Sequence, residues 1–196
     1  MRLHNLTDFV LPWEIRSLFP GKGVAGPAFT LRGRTGADIE PHDTYLAWTR
    51  FLGDVPAGAI AICQPNDHLV AHMGELSAET LKHRGVKAYV VDGGCRDVSF
   101  IRRIGFPVWC RYATPADIVG CWLPEGFGEP IKIDKVTVNS GDYILGDDDG
   151  VVVIPHERAE QITAETEVVM GRENLVRNAI MEGMHPQEAY LTYRKF

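Results

Sequence analysis

The chain has 196 residues, 45% of them apolar and 23% charged, which is enough to bury one sizeable core and rather short for two. Its formal charge of -6 comes from acids and bases scattered along the sequence, with no basic run able to follow a phosphate backbone, so nucleic acid is not expected as a direct partner. The N-terminus lacks a charged-then-apolar signal pattern and no apolar run approaches the ~20 residues that span a bilayer, so no membrane association and a cytoplasmic location are expected.

In chain order, residues 26–32 (GPAFTLR) alternate in character after a Gly/Pro-punctuated entry and read as a strand. Residues 43–52 form an amphipathic pattern that predicts a helix, with Asp43 as its N-cap and Gly53 and Pro56 as its stop. Residues 59–63 (AIAIC) read as a buried strand between Gly58 and Pro65. A second helix opens at Gly74-Glu75-Leu76-Ser77, repeats its apolar positions at Leu76, Thr80 and Leu81, and closes at Arg84-Gly85. Residues 88–91 (AYVV) are wholly apolar, as in a strand covered on both faces of a parallel sheet. That strand runs into Asp92-Gly93-Gly94-Cys95-Arg96-Asp97, then a helical stretch over 98–104 and a strand over 106–110. This βαβ-like succession puts the loop after Val91 at the carboxyl end of a strand, where open α/β sheets place ligands.

Beyond Gly120 the pattern turns antiparallel. Residues 131–138 alternate with period two, and residues 143–154 read as a hairpin around Gly146-Asp147-Asp148-Asp149-Gly150. The three aspartates lack the alternate spacing of a calcium loop and are read as a turn. From Pro155 one long charged helix is expected to about Met181, interrupted near Gly171 and ended by Gly183 and Pro186. The whole reads as one α/β domain over 1–196, with mixed sheets flanked by helices and the terminal helix beginning near 155. Cys63, Cys95, Cys110 and Cys121 form neither a CxxC pair nor a zinc spacing and read as free thiols.

Glu75 at a helix start, with Arg96 and Asp97 after a buried strand, supplies the residue types that enolate chemistry needs. First-turn amides at Leu76 and Ser77 can hold a carboxylate. Asp97 can hold a divalent ion, Arg96 offers a fixed positive fork to a developing oxyanion, and Glu75 can hold or deprotonate water. Spacing alone also permits plainer readings. Arg96-Asp97 can be a surface pair with Asp97 capping the next helix, Glu75 can complement the helix dipole, and Gly93-Gly94 can be a tight turn. His68, His72 and His83 lack ligand spacing and read as solvated or core-edge residues, and His42-Asp43 is a weaker candidate for the pocket mouth.

Three segments, GPAFTL, AHMGELSAETLKHRGVKAYVVDGGCRDVSFIRRIGFPVWCRYATP and GDYILGDDDGVVVIP, resemble the family that contains the 4-hydroxy-4-methyl-2-oxoglutarate aldolases and the regulator of ribonuclease activity A. The resemblance implies a swivelling β/β/α fold, assembly as a homotrimer or a hexamer, and an active site at a subunit interface. It also implies an acid separated by twenty residues from Arg-Asp, a pattern met here by Glu75, Arg96 and Asp97. By that likeness Asp97 is the direct Mg²⁺ or Mn²⁺ ligand and Arg96 binds the pyruvyl oxygens. Gly74 and the Leu76 and Ser77 amides hold the substrate carboxylate, and Glu75 orders metal-bound water. The implied activity is a lyase acting on small 2-oxo acids, by retro-aldol cleavage of 4-hydroxy-2-oxo acids or decarboxylation of oxaloacetate through a pyruvate enolate. The alternative is a regulator without chemistry that binds a ribonuclease or another enzyme. Residues 121–130 (CWLPEGFGEP) depart from the usual members, and no acid from a neighbouring subunit's terminal region aligns. A methyltransferase finds no support, because no Gly-rich fingerprint follows the first strand.

Overall fold

Ala88–Val91 is buried at every position and lies inside a parallel stack, as its unbroken apolar run requires. In the computed structural model, which describes residues 1–196, the strands in chain order are β1 (Arg16–Ser17), β2 (Val24–Thr35), β3 (Ile60–Gln64), β4 (Ala88–Val91), β5 (Gly94–Cys95), β6 (Val108–Cys110), β7 (Tyr112–Ala113), β8 (Trp122–Phe127), β9 (Ile131–Ile133), β10 (Val136–Val138), β11 (Tyr143–Gly146) and β12 (Val151–Ile154). The helices are α1 (Pro41–Asp54), α2 (Glu75–His83), α3 (Val98–Ile104), α4 (Ala159–Met181) and α5 (Pro186–Tyr193). The main sheet runs β1-β6-β4-β3-β2-β11-β12, with β8 also on β2. Its β2-β3-β4-β6 centre is parallel, and β1, β8, β11 and β12 are antiparallel additions. This is the mixed α/β sheet with flanking helices expected from the sequence.

Alternation across the central strands makes two cores. Ala61, Cys63, Tyr89 and Val91 point into one that holds Trp48, Phe51 and Leu52 of α1, Ala78 and Leu81 of α2, and Ile101 of α3. Ile60, Ile62, Ala88 and Val90 point into the other, against the β9–β10 hairpin and β11–β12. The chain forms two compact units, Met1–His156 and Glu157–Phe196. In the second unit α4 and α5 are joined by a turn at Gly183, and Lys195 pairs with Glu173 at 2.8 Å. No helix is long and apolar enough to cross a membrane.

Several local expectations change. α1 starts two residues before Asp43, with Pro41 in its first turn and Glu40 as N-cap, so Asp43 sits inside the first turn. α1 also continues through Gly53 to Asp54. The buried face of α2 is Ala78 and Leu81, whereas Leu76 is 73% exposed. α4 passes Gly171 without a break, and Pro186 starts α5 as a first-turn proline rather than merely ending a helix. β8 is a strand that the sequence reading lacked. The Asp147–Asp149 loop is a turn: Asp147 Oδ1 accepts the Asp149 amide at 2.9 Å, and Asp148 accepts the Gly21 amide. All four cysteines are free thiols, three of them buried.

Candidate active site

The parallel β3-β4 pair brings the N-terminus of α2 beside the loop that leaves β4, and a cavity of about 690 Å³ opens there. Gly74, Glu75, Leu76, Ser77, Arg96 and Asp97 all line it, so residues from two segments twenty positions apart meet in one place. His42 and Asp43 do not line it; their neighbours Thr44, Tyr45, Trp48 and Thr49 on α1 do. His68 and His83 also lie outside it.

Asp97 organises this corner. It has a left-handed backbone (φ 56°) between β5 and α3, and its side chain does not cap α3. Its Oδ2 reaches back and accepts the Glu75 amide at 3.0 Å, closing the first turn of α2 from outside, while Oδ1 carries no hydrogen bond. The helix-cap reading of Asp97 is thus replaced by a cap on a different helix. The remaining first-turn donors of α2, at Leu76 and Ser77, have no carbonyl within the helix to bond. Arg96 is fixed through its own amide, which donates to the Met73 carbonyl at 2.8 Å. Its Nε lies 3.7 Å from Asp97 Oδ2 and its Nη1 3.9 Å from Asp117 Oδ2. Arg96 and Asp97 side chains are 43% and 36% exposed, so both charges reach the cavity solvent.

Gly74 makes the approach possible. A Cβ there would stand 2.9 Å from both Arg96 Nε and Asp97 Oδ2. Its φ of -139° is ordinary extended backbone, so the requirement is space alone.

Sequence reasoning did not find Trp48 or Asp117. Trp48 is nearly buried, donates its indole N–H to Ser77 Oγ at 2.8 Å, and forms a cavity wall. Asp117 follows Pro115 in a loop without regular structure, and no spacing rule links it to Arg96. His72 is fully buried, not solvated. Its Nε2 lies 3.3 Å from Asp67 Oδ2, yet neither ring nitrogen makes a hydrogen bond. Burial pulls its pKa down to about 4, with His68 adding to the shift and the Asp67 carboxylate opposing it. The ring packs edge-on against Trp122 at 4.9 Å and presses so closely on Gly93 that a Cβ there would meet Nδ1 at 2.6 Å. Gly93 is therefore a close-packing glycine.

No group of three or more His, Cys, Asp or Glu side chains placed to hold a metal ion converges within the chain. The donors at the cavity are carboxylate oxygens, with Asp97 Oδ1 unbonded. That set suits a hard cation that keeps most of its water, as Mg²⁺ does.

The chain matches the model of the RraA-like family, described as Aldolase/RraA, over residues 5–153. It is 27% identical over 193 residues to Protein DlpA of Legionella pneumophila, covering 92% of this chain but only 29% of DlpA's length. It is 28% identical over 192 residues to a Halalkalibacterium halodurans protein named "Putative 4-hydroxy-4-methyl-2-oxoglutarate aldolase", covering 96% of this chain and 84% of that one. The crystal structure of Streptomyces coelicolor RraAS2, described as an unusual member of the RNase ES inhibitor RraA protein family, superposes with a TM-score of 0.80 at 27% identity, over 90% of this chain and 88% of that one. A family match over three quarters of the sequence, on a fold shared with a solved RraA protein, makes this chain a member of the RraA-like family.

Proposed function

We propose that the chain is a divalent-metal-dependent carbon–carbon lyase of pyruvyl 2-oxo acids, cleaving 4-hydroxy-2-oxo acids by a retro-aldol step and decarboxylating oxaloacetate. The observation that carries this reading is the meeting of Glu75, Arg96 and Asp97 with the open first turn of α2 in one cavity. Asp97 would hold Mg²⁺ or Mn²⁺, which when bound supplies a Lewis acid to the 2-oxo acid. The Leu76 and Ser77 amides, brought close by Gly74, receive the substrate carboxylate at the positive end of the helix. Arg96 binds the pyruvyl oxygens and opposes the negative charge that grows on the keto oxygen as the enolate forms. Glu75, in the same first turn, holds water and moves the proton that the enolate carbon finally takes.

Pyruvate release from oxaloacetate and from 4-hydroxy-4-methyl-2-oxoglutarate, with Mg²⁺, Mn²⁺ or a chelator, tests the reading. Turnover is expected to need the metal and to fall by about 10² or more in Asp97→Ala and in Arg96→Ala. Near-normal rates in either variant would remove the assignment. The solved relative described as an RNase ES inhibitor supplies the second reading, a regulator acting by binding. Absence of turnover under every condition would favour it. Assembly as a homotrimer or hexamer and a cytoplasmic setting belong to the same proposal, and sedimentation velocity checks the former.

A further inference from the structure

We infer that Arg84 is the residue that selects dicarboxylic substrates, receiving the far carboxylate of a 4-hydroxy-2-oxo diacid; this rests on the lyase reading for the pyruvyl end at Arg96. The cavity is a cleft between two helices. Tyr45, Trp48 and Leu52 line it from α1 at i, i+3 and i+7, which is one helix face. Leu76, Thr80 and Arg84 line it from α2 and its C-terminal cap at i, i+4 and i+8, again one face. Two bonds set these faces side by side and running the same way. The Trp48 indole donates to Ser77 Oγ, and five residues further along α1 the Gly53 carbonyl accepts from Arg84 Nη2.

Charge in the cleft is divided unevenly. Its three acids, Glu75, Asp97 and Asp117, gather with Arg96 at the N-terminal end of α2. A second substrate carboxylate held at that end would meet charges of its own sign. The other lining cation is Arg84, which is exposed and enters no ion pair. The Gly53 carbonyl takes one of its five donors, so its charge and the remaining N–H groups are left for a ligand. The hydroxyls between the two ends are already donated, Thr80 Oγ1 to the Leu76 carbonyl and Thr49 Oγ1 to the Tyr45 carbonyl, each at 2.7 Å. A carboxylate that loses water in this cleft therefore finds its compensating donor at Arg84.

The spacing suits a short diacid. Five residues from Trp48 to Gly53 advance about 7.5 Å at the helical rise, which places the Arg84 guanidinium about that far along the cleft from the first turn of α2. The carboxylate carbons of an extended five-carbon diacid lie about 5 Å apart, and with a hydrogen bond at either end the molecule bridges donors up to about 10 Å apart. The bond to Gly53 also holds the guanidinium in place before the ligand arrives, so less side-chain freedom is lost on binding.

Titration calorimetry on the full chain with Mg²⁺ compares two non-cleavable acids that differ only at the far end, 2-oxoglutarate and 2-oxopentanoate. The diacid should bind at least ~10-fold more tightly. Arg84→Gln should erase that preference and leave 2-oxopentanoate binding unchanged, whereas a contact that merely secured the end of α1 would shift both acids alike. Arg84→Lys, which keeps the charge without the fork, should retain a reduced preference and replaces the glutamine variant should that one not fold. Pyruvate release from 4-hydroxy-2-oxoglutarate and 4-hydroxy-2-oxopentanoate is measured on the same preparations, with KM rising ~10-fold in Arg84→Gln for the diacid alone. A binding preference that Arg84→Gln erases, without pyruvate release from either acid, would support the Arg84 assignment and overturn the lyase. Equal binding of the two acids, binding of neither, or a preference that survives Arg84→Gln would overturn the assignment, and pyruvate release would then leave the lyase standing.

Discussion

Asp97 serves two structures at once, since one oxygen closes α2 and the other is free at the cavity. The arrangement depends on a missing side chain at Gly74, where a methyl group would press on Arg96 and Asp97 together. Gly74→Ala should therefore cut pyruvate release by about 10²-fold through misplacement of the two side chains, while the unfolding midpoint changes little at this partly exposed position. A steady-state assay beside a thermal melt checks both halves. His72 gives a second residue-scale prediction. Its folded pKa of about 4 lies below the ordinary value of 6.5, so the unfolded chain binds more protons between those limits. Its contribution is fully present above pH 6.5 and is lost as pH falls toward 4, a change of roughly 3 kcal/mol. Urea midpoints from pH 7.5 to 4 should show that slope in the parent chain and a shallower one in His72→Gln.

At the scale of elements, α4 tolerates Gly171 in its interior, where a Cβ would meet nothing. Gly171→Ala should raise stability by about 0.5–1 kcal/mol, read as a higher urea midpoint with an unchanged slope. The elements legible in the sequence were those with one dominant pattern. The apolar run of β4 and the Gly74 start of α2 have the bounds the residues suggest. β8 was not legible because Pro124 and Gly126 make its run look like a loop. In the sheet Glu125 is an extra residue between the pairs Arg32↔Gly126 and Gly33↔Pro124, and this bulge accommodates the missing amide of Pro124. The bare backbone of Gly33 lies under the Trp122 ring, a contact no local pattern announces. For the candidate site, the spacing of Glu75, Arg96 and Asp97 was legible because the chemistry needs those residue types on neighbouring loops. Trp48 and Asp117 were not, since they reach the cavity only through the packing of α1 and an irregular loop.

Over the whole molecule, neither hydrophobic core contains a residue beyond Val153. A chain ending at His156 should therefore unfold in one cooperative transition and keep the near-ultraviolet circular dichroism of its buried Trp109 and Trp122. Loss of that transition would show that residues 157–196 are needed for the fold. The alternation of the central strands has a practical reading as an address code. In β3 and β4 odd-numbered side chains belong to the layer that carries the helices of the cleft, and even-numbered ones to the layer behind. Parity thus tells an engineer which layer a substitution disturbs: replacements at Ile60, Ile62 or Val90 fall in the core away from α1 and α2, and none of the three touches the cavity.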